Sequence, residues 1–177
     1  MTKQTATAAL LWTAVLGASA IFGSWFFACV FPFAAMATIA AMTLDLRRGA
    51  ALVVATWSAN QIVGFTLMNY PQDVPTVALG ISLGIGALLG FVAARTVLAR
   101  LTQPVAAVAA LAAAFVTYEA AIYVGALGFG GTDTFSPAII GGVALNDAIW
   151  FAALLGLRAL LTRTLPAQFG TQIAARA

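Results

Sequence analysis

All eight basic residues of this 177-residue chain fall on one side of a membrane if it is threaded through the bilayer six times. Lys3, the pair Arg47 and Arg48, then Arg95 and Arg100, then Arg158, Arg163 and Arg176 recur after every second apolar stretch. The intervening turns, around Gly23, Tyr70 to Pro75 and Gly128 to Pro137, hold no Lys or Arg. Cytoplasmic loops collect Lys and Arg while translocated loops lack them, so the pattern gives topology and orientation together. An odd number of spans would separate Lys3 from the Arg47–Arg48 pair. The expected fold is an all-α integral membrane bundle of six transmembrane helices with both termini cytoplasmic, in a cell (inner) membrane.

Composition agrees. The chain is 63% hydrophobic and 7% charged, whereas a soluble domain carries about 25% charged residues. The net charge of +3 is then a topology signal, and no basic patch exists to hold nucleic acid. One Cys and no His exclude disulfide frameworks and His-based metal or proton-relay sites. Cys29 reads as a buried small hydrophobe, or as a soft metal ligand if a kink turns it inward. No cleavable signal peptide is expected, because the first apolar stretch leads directly into a second.

About 20 helical residues cross the hydrocarbon core. Stretches 6–22, 25–44, 50–69, 75–99, 104–127 and 137–162 satisfy this. They form one domain over residues 1–165, with 166–177 as a short cytoplasmic tail. The first two spans are expected to meet in a tight turn at Gly23–Ser24; one long re-entrant segment is the alternative that charge parity disfavours. Pro32 lies inside the second span and should kink it. Small residues let membrane helices approach closely. Gly80, Gly84, Gly86 and Gly90 on the fourth span, and Ala106, Ala110 and Ala114 on the fifth, are expected to pack within the chain.

An ionisable group at membrane depth costs about 2.5 to 3.5 kcal/mol on insertion scales and marks a functional site by default. Glu119 and Asp147 both fall roughly 12 to 15 Å below the outer surface at 1.5 Å per residue, and no Lys or Arg is assigned to that level. Each must be protonated, solvated in a water-filled pocket, or paired with a cationic ligand. Asn60, Gln61, Tyr70, Tyr118, Tyr123, Asn146 and Trp150 fall near the same level or above it. Together these residues suggest an acid-bearing, aromatic-lined recess open to the outside, with cation–π surface and a few fixed hydrogen bonds. The substrate-binding set is Asn60, Tyr70, Glu119, Tyr123, Asn146, Asp147 and Trp150. Phe26, Phe27, Phe31 and Phe33 read as lipid-facing or core residues.

Catalysis finds no footing. There is no His, no Ser or Cys beside a base, no paired-carboxylate metal signature and no phosphate-cradling loop followed by Lys. The chain is not expected to be an enzyme, and no cofactor or metal is implied.

Six short spans, an Ala14-xxx-Ala18 pair on the first helix and a polar recess from the last helices together resemble the substrate-binding S components of energy-coupling factor vitamin transporters. The resemblance covers the whole chain as architecture. It implies that Ala14 and Ala18 dock a transmembrane coupling subunit that works with ATPases. It also implies that the late helices hold a vitamin or its precursor. The very short turn between the first two spans departs from that pattern, leaving the Asn69–Pro75 and Gly125–Pro137 turns as gates.

The expected function is uptake of a small cationic or donor-rich substrate, such as a thiamine-like thiazolium, an amine or a corrinoid. The lipid bilayer surrounds it, and nucleic acid plays no part. Two other readings stay open: a proton- or cation-coupled secondary transporter or channel, and a non-catalytic structural subunit of a membrane complex.

Overall fold

The structure, a computed structural model, describes the backbone of residues 3–26, 31–102 and 105–169, with side chains except those of 3–6, 9, 20–26, 167 and 168. The described chain is helical. In order come α1 (Lys3–Phe26), α2 (Phe33–Thr43), α3 (Leu46–Thr66), α4 (Val74–Leu98), α5 (Val105–Phe129), a 3-10 turn (Thr132–Phe135), α6 (Pro137–Thr164) and the single turn α7 (Pro166–Phe169). Three of them, α4, α5 and α6, are long and apolar enough to cross a membrane.

Helix starts follow local chemistry. Asp45, Asp73 and Ser136 sit in extended backbone, and their side chains accept from the N–H groups of Arg48, Thr76 and Ile139. Pro75 and Pro137 occupy first-turn positions where no donor is lost. At the end of α3, Asn69 takes a left-handed φ of 53°. The Tyr70 N–H then reaches back to the Gly64 carbonyl at 3.1 Å, so the chain turns back on the helix end through a left-handed residue.

The N-terminal part departs from the sequence expectation. No turn forms at Gly23–Ser24, because α1 stays helical through Phe26. The second element is not a kinked span over 25–44 but an 11-residue helix beginning after Pro32. Proline has no N–H and fits a helix start, so Pro32 opens α2 where the sequence reading expected it to bend a longer one. At 1.5 Å per residue α2 is about 16 Å long, half of a hydrocarbon core. Residues 27–30, with Cys29 and Phe27, lie outside the described residues.

Short as it is, α2 is the centre. Every residue from Phe31 to Ala41 is buried, and α2 packs against α3, α4, α5 and α6. Such a helix is apolar all round because no face meets solvent. Its C-terminal end receives Arg95 from α4, whose Nη1 donates to the Leu44 carbonyl at 3.1 Å while the guanidinium lies over the Phe91 ring. That contact places the ends of α2 and α4 together, at the Arg-bearing end of the bundle.

The glycines of α4 work as expected, on two faces. Gly84 admits the Trp57 ring from α3, whose Nε1 donates to the Gly80 carbonyl at 2.7 Å. Gly86 and Gly90 meet Tyr118 and the Ala114 carbonyl of α5. Ala106, Ala110 and Ala114 are buried, so the α5 ridge packs within the chain. Ala14 and Ala18 are exposed on the outer face of α1.

Two outcomes follow for stability. A Cβ at Gly90 would sit 3.0 Å from the Ala114 carbonyl, whereas one at Gly156 meets nothing within 4 Å. Gly90→Val should lose about 1 to 3 kcal/mol by overpacking, and Gly156→Ala should be neutral or mildly stabilising, as thermal unfolding in detergent will show. The exposed Asp73 carboxyl is held below its usual range by its hydrogen bonds to the Thr76 side chain and backbone. A depressed folded pKa gives stability that is full above the unfolded value and vanishes as pH falls through the folded one. The melting-point gap between the parent and Asp73→Ala should therefore close on acidification below the ordinary carboxylate range.

Candidate functional site

At the end of the bundle opposite Arg95, the α3–α4 and α5–α6 turns border a cavity of about 370 Å³. Its floor is Phe31 and Phe33, with ring centroids 4.5 Å apart. Asn60, Gln61 and Phe65 come from α3; Thr76, Leu79, Gly80 and Leu83 from α4; Tyr118, Glu119 and Ile122 from α5. Phe135 of the 3-10 turn, with Ile139 and Val143 of α6, completes the wall.

Backbone geometry sets the two rims. The left-handed turn at Asn69 folds Tyr70 back so that its ring lies on Gly64, where a Cβ would stand 2.7 Å from ring carbons. Phe65 meets that ring edge-on at 6.3 Å. On the other rim Gly130 and Gly131 take φ of 93° and 99°, turning the chain into the 3-10 segment that presents Phe135. Tyr123 buttresses Phe135 edge-on at 5.0 Å.

The two acids of α5 and α6 part company. Glu119 is half-buried, lines the cavity, and has no hydrogen bond among the described residues. Asp147 is 1% exposed and is not on the cavity wall. The Ala35 N–H donates to its Oδ1 at 2.7 Å, so a side chain on α6 caps the N-terminus of α2. The first amides of a helix have no internal partner, and its positive end stabilises an anion. Asp147 thus meets a partial positive charge that Glu119 lacks, although its Oδ2 is buried with no partner among the described residues. The carboxylates remain near enough to interact electrostatically.

The sequence-derived set is sorted accordingly. Asn60, Tyr70 and Glu119 line the cavity. Asn60 accepts from Gln61 Nε2 at 3.1 Å, forming a small amide pair on the wall. Tyr123 is exposed and supports the rim from behind. Asn146 and Trp150 are off the wall and engaged with other groups; Trp150 packs against the core. Asp147 is a structural cap. Phe31 and Phe33 are core residues, one of their two sequence readings, and that they also floor the cavity was missed. The one available signal was the Phe31–Pro32–Phe33 run, which marks a helix start with free amides.

Among the described residues no group of three or more His, Cys, Asp or Glu could hold a metal ion. Comparison of the chain with protein-family models, curated proteins and solved structures found no match.

The capping role is testable. Asp147→Asn keeps an acceptor for the Ala35 amide and should unfold near the parent's temperature. Asp147→Leu leaves that amide unpaired and should cost about 1 to 3 kcal/mol, read by thermal unfolding in detergent.

Proposed function

We propose that this protein is a membrane bundle of six helices with both termini in the cytoplasm, the half-length α2 standing where the second of six spans was expected. It binds a small molecule from the outside and moves it inward. The observation that carries the reading is the position of the cavity. It opens between two turns that hold no Lys or Arg, while every Arg on α3, α4 and α6 sits toward the other end. Under the positive-inside rule that mouth faces outward. Its walls are largely apolar, with a few converging polar groups, the usual composition of a ligand site.

The architecture fits a substrate-binding subunit of the energy-coupling factor kind. The exposed Ala14 and Ala18 leave the α1 face open for a transmembrane coupling partner that uses ATPases. A volume of about 370 Å³ favours a compact vitamin or precursor over a corrinoid macrocycle. The half-length α2 favours a second reading, a secondary transporter, because such carriers place broken helices beside their substrate. A protonophore separates the two: it abolishes uptake by an ion-coupled carrier and spares uptake by the purified protein with an ATP-driven partner.

Mass spectrometry of small molecules that co-purify with the chain tests the proposal. One compound should be enriched with the parent and fall at least about tenfold with Val143→Phe, which fills the cavity, a loss of about 1.4 kcal/mol. Equal recovery with both proteins, or reporter fusions at residue 177 that prove extracellular, would reject it.

A further inference from the structure

We infer that the cavity takes a compact monovalent organic cation, an alkylammonium or an N-alkylated heteroaromatic ring, with Glu119 as its counter-charge and the aromatic rings as its walls. The inference rests on the cavity being the binding site, and it names the chemistry that site selects.

Charge supplies the first argument. Glu119 is half-buried on the wall with no hydrogen bond among the described residues. No Lys or Arg lines the cavity, and the chain has no His. A half-buried carboxylate without a protein partner has only cavity water to solvate it, and a ligand that displaces that water must supply the counter-charge. Asp147 does not compete for the role, because the α2 amide end already faces it. With a carboxyl and no cationic side chain on the wall, the cavity offers an anionic ligand no partner.

The walls decide which cation. Phe31, Phe33, Phe65, Tyr70, Tyr118 and Phe135 all line the cavity. Ring faces attract a cation within about 6 Å, and quaternary ammonium groups are bound this way in aromatic cages. A metal ion has the opposite need. Magnesium or calcium takes about six to eight oxygen ligands at close range, and this cavity offers one carboxylate, the Asn60–Gln61 amide pair and hydroxyls set among rings. A hydrated inorganic ion gains little there, whereas an organic cation can leave its water. At about 370 Å³ the space lies near the lower end for small-molecule sites.

The test uses the full chain in lipid nanodiscs and titration calorimetry with matched probes. Choline is paired with its neutral isostere 3,3-dimethyl-1-butanol, and N-methylnicotinamide with neutral nicotinamide; nicotinate, sodium chloride and magnesium chloride complete the set. At least one cation should bind at least about tenfold tighter than its neutral partner. Glu119→Gln should weaken that cation about 100-fold, in line with loss of a buried charge partner, and change the neutral partner less than about threefold. Glu119→Asp should keep most of the affinity, which separates lost charge from damaged packing. A neutral compound or nicotinate binding as tightly as the cations overturns the cation assignment and leaves the cavity reading in place. So does displacement of a bound cation by sodium or magnesium at equal concentration. If no probe binds, and Val143→Phe also leaves the co-purified compounds unchanged, both readings fall.

Discussion

A short buried helix needs both of its ends answered, and the fold is arranged around that demand. The first amides and last carbonyls of a helix have no partners within it, and most of α2 is buried. Asp147 answers one end from α6 and Arg95 answers the other from α4. Each charge lies against the pole of the helix dipole that favours it. The peptide units of one helix thus meet both side chains, while Asp147 Oδ2 stays without a partner among the described residues, and α3 and α5 close around the sides.

The long helices can surround α2 so closely because of α4. Its glycines alternate between two neighbours, with Gly80 and Gly84 toward Trp57 and Gln61, and Gly86 and Gly90 toward α5. Dispersion contacts and backbone approach hold membrane helices together when lipid is as apolar as the side chains. The same close approach at the far end brings Gln61 beside Gly80 and leaves the space under Tyr70 and Phe135 that becomes the cavity. Packing and site thus share residues.

Much of this was legible in the sequence. The glycine pairs of α4 and the alanine ridge of α5 were read correctly, since each rests on residue size. The boundary between α1 and α2 was misread because hydropathy records how apolar a residue is, not what covers it. A stretch buried by other helices looks the same as one facing lipid. The sequence sets Glu119 and Asp147 at one depth, but depth counts residues along an axis and does not say where a side chain points. A capping contact between residues 35 and 147 has no local signature. Neither has an aromatic floor contributed by residues far in sequence from Glu119.

Because the partners that satisfy α2 come from later in the chain, the order of biosynthesis acquires structural meaning. Eleven residues with bare polar ends have no stable resting place in the lipid interior by themselves. Arg95 and Asp147 are synthesised 52 and 104 residues after Thr43, the last residue of α2 (95 − 43 and 147 − 43). The contacts that close the two ends of α2 therefore cannot form until α4 and α6 have been made.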